Sequence, residues 1–285
     1  MTVLEAIQKS AEFLGKKGVE SPRLQAEMLL AHLLKVPRLK LYLNFERAMS
    51  PAETDALRQL VKRRGAREPL QHILGTTSFC GYEMAVNRHA LVPRPETELL
   101  AEEGWKFLQE RAAAGRSPTV LDFGTGTGCL AIALAAQCPA SRIVATDISP
   151  EALALAEANA VQNKVADRIE FVLGDGFAPL PKGWPFDLII SNPPYIPTSE
   201  IETLAPEVKH FDPRAALDGG SDGLDFYRMF ATQAGTFLKP DGRLLLEFGD
   251  GQAEAIRKIL EAQKWIVEAV KEDYSHRERV LIAKL

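Results

Sequence analysis

Apolar positions recur at helical spacing through the first quarter of the chain and then change period. Ile7, Ala11 and Leu14 share one face, and Ser21-Pro22 opens a second helix carrying Leu24, Met28, Leu29 and Leu33. Ser50-Pro51-Ala52-Glu53 has the form of a capping box with proline at the first helical position, and Leu57, Leu60 and Val61 follow it. These stripes predict a small helical bundle over residues 1–75, with the apolar side chains as its core. Between Thr76 and Val92 the pattern alternates, with Gly81 and Asn87-Arg88 as turn signals, which predicts a β-hairpin linker over 76–92. Helical spacing returns after Pro93 to about Glu110, and a small-residue loop follows over 112–117.

From Pro118 onward, short apolar runs alternate with helical segments. Residues 119–123, 142–147, 169–175, 186–191 and 242–248 read as strands rich in apolar residues, as in strands buried on both faces. Segments 265–270 and 279–283 complete the set as an antiparallel edge pair. The expected fold over 93–285 is α/β, a mostly parallel seven-stranded sheet with helices on both faces. Residues 196–224 have little periodicity and are rich in Pro, Asp and Gly; they read either as a substrate-gripping lid or as a solvated excursion.

At 285 residues the chain is long for one core, which fits one small and one large domain. Its 46% apolar and 25% charged content is that of a globular protein, and no apolar run is long enough to span a bilayer. The N-terminus lacks a signal-peptide core, and the expected location is the cytoplasm. A net charge of −4 argues against a broad nucleic-acid surface, and the helical segment is taken as acidic to neutral. Cys80, Cys129 and Cys138 are widely spaced, as are the five histidines, so neither a disulfide framework nor a metal site is expected.

The chemistry lies at the strand ends. Gly124-Thr125-Gly126-Thr127-Gly128 follows the 119–123 strand and precedes an Ala/Leu-rich helix. Glycines there permit positive φ and close approach of a ligand to the backbone. The third glycine comes one position too early for a dinucleotide fingerprint, which favours a nucleoside with a small charged tail. Asp147 ends the next strand, placed to accept ribose hydroxyls, and Asp175 ends the one after, placed to meet an adenine amine. Asn192-Pro193-Pro194-Tyr195 then leaves the 186–191 strand. The Asn192 side-chain oxygen and the Pro193 carbonyl offer two acceptors to a planar NH2 group, and Tyr195 offers a flat face. Pro193 and Pro194 fix φ and stiffen the turn.

In this order the motifs resemble the class I, Rossmann-like S-adenosylmethionine (SAM)-dependent methyltransferases, narrowed by the Asn-Pro-Pro-Tyr loop to those that methylate planar amide or exocyclic amino nitrogens. That loop also occurs in DNA adenine and some RNA guanine methyltransferases, which keeps methyl transfer to nucleic acid as an alternative. Leu91-Val92-Pro93-Arg94-Pro95-Glu96-Thr97-Glu98, however, resembles the signature of the bacterial protein-(glutamine-N5) methyltransferases called PrmC or HemK. A sister branch acting on a ribosomal protein carries Pro-Arg-Ser-Pro there, so Glu96 and Thr97 favour the release-factor branch. Residues 68–75 and 211–217 resemble further stretches of the same family.

The resemblance implies SAM as methyl donor, S-adenosylhomocysteine as product, and the glutamine of the Gly-Gly-Gln loop of peptide-chain release factors as substrate. It implies no metal, no nucleic-acid or membrane partner, and a helical domain that recognises the substrate protein. Asn192, Pro193, Pro194 and Tyr195 become the catalytic loop. Phe123, Gly124, Thr125, Gly126, Thr127, Gly128, Asp147, Ile148, Asp175, Gly176, Phe177 and Asn192 become the cofactor site. Gly176 replaces a large aromatic found in some relatives, which shifts adenine stacking to Phe177 or another residue. Arg94 and Glu96 either line the SAM pocket or order the hairpin through ion pairs, and Glu247 reads as an ordinary strand residue.

Overall fold

The computed structural model of the chain describes residues 1–181 and 184–285. By its contacts the chain divides into two compact units, residues 1–76 with 205–211 and residues 77–204 with 212–285.

The first unit packs α1 (Val3–Lys16), α2 (Pro22–Leu34), α3 (Pro51–Gly65) and the short α4 (Leu70–Leu74) around Ile7, Leu14, Leu29, Leu30 and Leu57. Thr2 and Ser50 both close capping boxes, with Glu5 and Glu53 returning the bond to the cap backbone. Glu27 is buried in this unit but fully partnered, by Arg23, Arg38 and the Tyr42 hydroxyl. Its charge reverses one expectation: residues 1–75 carry thirteen Lys and Arg against eight Asp and Glu, a net of +5, so the unit is basic rather than acidic to neutral. The chain's overall −4 averages this positive unit against a negative remainder.

The second unit opens with a hairpin, β1 (Thr76–Phe79) and β2 (Tyr82–Ala85), turned by Cys80 and Gly81 at φ 49° and 80°. Two positive φ values give the turn whose twist matches paired strands. Then follow α5 (Thr97–Ala113), β3 (Thr119–Phe123), α6 (Cys129–Gln137), β4 (Arg142–Asp147), α7 (Pro150–Gln162), β5 (Ile169–Leu173) and β6 (Phe186–Ser191). The chain ends with α8 (Pro206–Phe211), α9 (Asp225–Gln233), β7 (Leu238–Glu247), α10 (Ala253–Ala262), β8 (Ile266–Glu272) and β9 (Glu278–Lys284).

The sheet order is β5-β4-β3-β6-β7-β9-β8, parallel from β5 to β7 and antiparallel at β7–β9 and β9–β8. Neighbouring residues on the central strands serve opposite cores. Val120, Leu188 and Ile190 join Leu100, Leu108 and Ile132 on one face. Leu121 and Ile189 join Phe230, Ile256 and Leu260 on the other. This is why these strands are rich in apolar residues on both faces, and it produces the expected sheet with a helical layer on each face. The fifth strand stops at Leu173, two residues short of expectation; the Gly174 N–H to Asp147 carbonyl bond (3.0 Å) is the last of the β4–β5 pairing, and Gly176 then takes a positive φ of 58°. The seventh begins at Leu238, earlier than expected.

The 196–224 segment holds helical turns at Thr198–Thr203 and Arg214–Ala216 flanking α8. Residues 205–211 belong to the first unit through Glu207, which accepts hydrogen bonds from Arg64 (2.7 Å) and from both Arg67 Nε and Nη2 (2.6 Å each). Burial raises the Glu207 pKa, but the bonds from Arg67 and Arg64 outweigh it and hold it below the ordinary 4.5. A depressed carboxylate pKa stabilises above the unfolded value and loses that contribution as pH falls through the folded one. Hydrogen exchange should therefore find the amides of 205–211 protected at pH 6. Protection should fall selectively below pH 4.5, and Glu207→Ala should remove it at both pH values.

Candidate active site

The carboxyl ends of the parallel strands open onto a cavity of about 270 Å³ within the second unit. Residues Phe123 to Thr127, Asp147, Ile148, Asp175, Gly176 and Asn192 to Pro194 line it together. β3 is the strand both loops depend on. Its end carries the glycine loop, and its Phe123 carbonyl accepts the Ser191 hydroxyl at 2.7 Å, joining that loop to the strand that delivers Asn192.

Gly124, Gly126 and Gly128 all have positive φ. A Cβ on Gly128 would lie 3.0 Å from the Ala156 Cβ, so helix α7 packs directly against the loop. Asp147 fixes the loop from the next strand, accepting the Gly126 N–H on one oxygen and the Ser149 N–H on the other, both at 2.9 Å. Each oxygen keeps a lone pair for a ligand hydroxyl. Beneath the loop, Asp122 is fully buried; Oδ2 accepts from the Thr125 hydroxyl (2.6 Å) and the Ala131 N–H (3.1 Å), while Oδ1 has no partner. Burial pushes its pKa up to about 7; the Thr125 and Ala131 bonds oppose this and the Asp147 charge adds to it. A polar, positively charged ligand group near the glycine loop would suit such a carboxyl.

Three expected site residues do not line the cavity: Gly128, which packs against α7 at the end of the loop, Phe177 and Tyr195. Phe177 is buried in an aromatic cluster, its ring 5.1 Å from Phe123, 5.9 Å from Phe230 and 5.0 Å from Phe237, and does not line the cavity. Its apolar ring gains more in that cluster than at a half-open wall, and Phe123 and Phe226 are the cavity's aromatic walls. Tyr195 packs against the second core cluster rather than lining the cavity, and burial raises its pKa to about 12. Arg94 lines the cavity and pairs with buried Asp212 at 2.7 Å. Thr97, Pro213, Ala215, Ala216 and Phe226 also line the cavity and were not predicted as site residues. The 91–98 and 211–217 stretches contain all but Phe226, so a signal for those existed.

The turn after Asn192 is clamped from behind. Ile196 N–H donates to Leu217 O (3.0 Å), Gly219 N–H to Ile196 O (2.9 Å), and Gln252 Nε2 to Tyr195 O (2.9 Å). A Cβ on Gly219 would sit 2.8 Å from Tyr195 Cα and 2.9 Å from Pro194 O, so only glycine permits this approach. The Asn192 Nδ2 donates to the Thr97 hydroxyl at 3.1 Å, which turns its NH2 into the fold. Among the described residues, no cluster of three or more His, Cys, Asp or Glu is placed to hold a metal, and no helix is long and apolar enough to cross a membrane.

Residues 5–75 match the PrmC N-terminal domain family model, and residues 100–208 match that of the methyltransferase small domain. The chain is 46% identical to the release factor glutamine methyltransferase of Geobacter sulfurreducens, over 90% of this chain and 87% of that one. It is 40% identical to the protein of the same name from Chlorobaculum tepidum, over 98% and 96%. The catalytic domain of human Mettl16, solved with an RNA hairpin, superposes with a TM-score of 0.55 at 17% identity, covering 79% of this chain and 81% of that one. The N-terminal domain of human METTL16 with SAH gives a TM-score of 0.52 at 17% identity, covering 72% and 76%. At these identities the two structures speak for the fold.

Gly219→Ala should destabilise the protein by about 1–3 kcal/mol through overpacking against backbone that cannot retreat. Urea denaturation followed by tryptophan fluorescence measures it; an unchanged midpoint would mean the turn yields freely.

Proposed function

The chain belongs to the release factor glutamine methyltransferases, and from that membership and the 192–195 geometry we propose its reaction. It transfers the methyl group of SAM to the side-chain amide nitrogen of the glutamine in the Gly-Gly-Gln loop of peptide-chain release factors. The observation that carries this reading is the Asn192 carboxamide, held by its NH2 so that its oxygen is left as an acceptor at the cavity wall.

SAM, when bound, supplies an electrophilic methyl carbon on a sulfonium. The residues present fit it. The glycine loop lets a ligand approach the backbone, Asp147 retains lone pairs at the strand end, and Asp122 keeps one buried oxygen unpartnered. Asp175 and Gly176 line the adenine end of the reading, with Phe123 as its aromatic wall in place of Phe177.

A glutamine amide is a weak nucleophile because its lone pair is delocalised into its carbonyl. Asn192 Oδ1 and the Pro193 carbonyl would take its two hydrogens, favouring a pyramidal nitrogen directed at the methyl carbon. The prolines and the Gly219 backing keep these acceptors from moving as the substrate arrives. Tyr195, packed behind the turn, supports the loop; contact of its ring with the substrate amide would require the ring to leave the core. Positioning of this kind supplies up to about 7–11 kcal/mol of a barrier, so no strong base is needed. The basic helical unit, matched by the PrmC N-terminal family model, is the part assigned to recognising the release factor. The work takes place in the cytoplasm.

Labelled SAM should transfer its methyl to an intact release factor and not to one whose loop glutamine is alanine. Asn192→Ala should lower turnover by more than about a hundredfold while SAM affinity, read by calorimetry, stays within about twofold. Equal label on both release factors, or on DNA or RNA instead, would end this reading.

A further inference from the structure

The NH2 of Asn192 is held by a buried pair that the reaction itself does not use. Thr97, at the first turn of α5, is buried and accepts Asn192 Nδ2 at 3.1 Å. Behind both lies Glu247, the last residue of β7, one position beyond the Ser191–Leu246 register pair. Glu247 is 2% exposed, its carboxyl is close enough to Thr97 and Asn192 for both to lower its pKa, and its Oε2 has no partner. Among the described residues no ion pair satisfies it. Arg279, the cation nearest in effect, is committed to Asp273 at 3.1 Å and to the Phe248 carbonyl at 3.3 Å. The Tyr227 hydroxyl donates to the Glu247 main-chain carbonyl, not to its carboxyl. A carboxyl buried without a counter-ion costs stability that an apolar residue at this strand end would not.

We propose that Glu247 and Thr97 are positioning residues for the methyl-accepting amide: they hold the Asn192 carboxamide with its NH2 inward and its Oδ1 outward. This rests on the reading above that the substrate presents an amide NH2. A half-turn of the Asn192 amide would exchange acceptor for donor and set N–H against N–H. The Thr97 hydroxyl accepts from the NH2 as it stands, and an ionised Glu247 carboxylate beside it opposes that turn, because an inverted Oδ1 would face an oxygen that cannot donate.

Burial raises the Glu247 pKa to about 7, against the Thr97 and Asn192 bonds and the Arg279 charge; Glu96 opposes Arg279, and Tyr195 also lies within reach of the Glu247 charge. Above that pH the carboxyl is ionised and presents only acceptors toward Thr97 and Asn192. Below it the carboxyl carries a proton of its own and the hold loosens, so turnover should rise with pH through about 7.

The test uses the full chain. Glu247→Gln and Thr97→Val should each lower kcat roughly tenfold to a hundredfold, with SAM affinity and melting temperature little changed. Thr97→Ser, which keeps the hydroxyl, should restore kcat, and Glu247→Gln should lose the acid limb. Activity-independent evidence comes from the Asn192 side-chain amide resonances, whose hydrogen exchange should accelerate about tenfold or more in both impaired variants. Unchanged exchange, or kcat within about twofold of wild type, overturns the proposal. If wild type methylates no release factor, the substrate reading fails and the exchange measurement still decides the orientation claim.

Discussion

One bond joins the two halves of this site. The Ser191 hydroxyl donates to the Phe123 carbonyl, at the point where β6 and β3 run out of register pairs and their loops diverge. Parallel pairing brings the ends of β3, β4, β5, β6 and β7 to one edge of the sheet, because parallel strands all finish on the same side. The glycine loop, Asp147 and the 192–195 turn are neighbours for that reason alone, although 20 to 70 residues separate them in the chain. Both faces of those strands are sealed by core clusters, so the edge is the one place where their ends meet a ligand.

Stiffness at this edge comes from backing as much as from proline. Two prolines set φ at 193 and 194, but a proline turn can still swing as a unit. The 217–223 stretch prevents this. It bonds the backbone on either side of Ile196, and Gly219 lets it press against Tyr195 and Pro194 at distances no side chain would tolerate. The segment read from sequence as either lid or solvated excursion is, in its second half, the support of the 192–195 turn. Its middle, residues 205–211, belongs by contact to the helical unit.

Much of this was legible in the sequence. Strand bounds at 119–123, 142–147 and 186–191 followed from runs rich in apolar residues on both faces, which the buried Asp122 and Asp187 interrupt without ending. The glycine loop and Asn192 were legible because each needs a residue type that few other roles demand. Phe177 was misplaced because aromatic character alone does not say whether a ring faces a ligand or other rings. Glu247 was passed over for a related reason: periodicity places it on a strand, whereas its lack of an ion pair is a fact of three dimensions. Thr97 lay inside a quoted motif, but its partner is 95 residues away. The basic character of residues 1–75 was there to be counted and was hidden only by the chain average.

An acceptor pair aimed at a flat NH2 does not by itself choose between a glutamine side chain and an exocyclic base amine, since both present two N–H donors in one plane. Choice must come from what surrounds the nitrogen. A base would need a broad stacking wall, yet Tyr195 packs half-buried against the second core cluster and Phe123 lies at the end of β3, beside the glycine loop. A glutamine on an extended loop needs only a narrow approach and a surface to hold the protein that carries it. Membership in the release factor glutamine methyltransferases decides for the amide, and the proline-lined turn, which offers no aromatic face to the cavity, agrees with it.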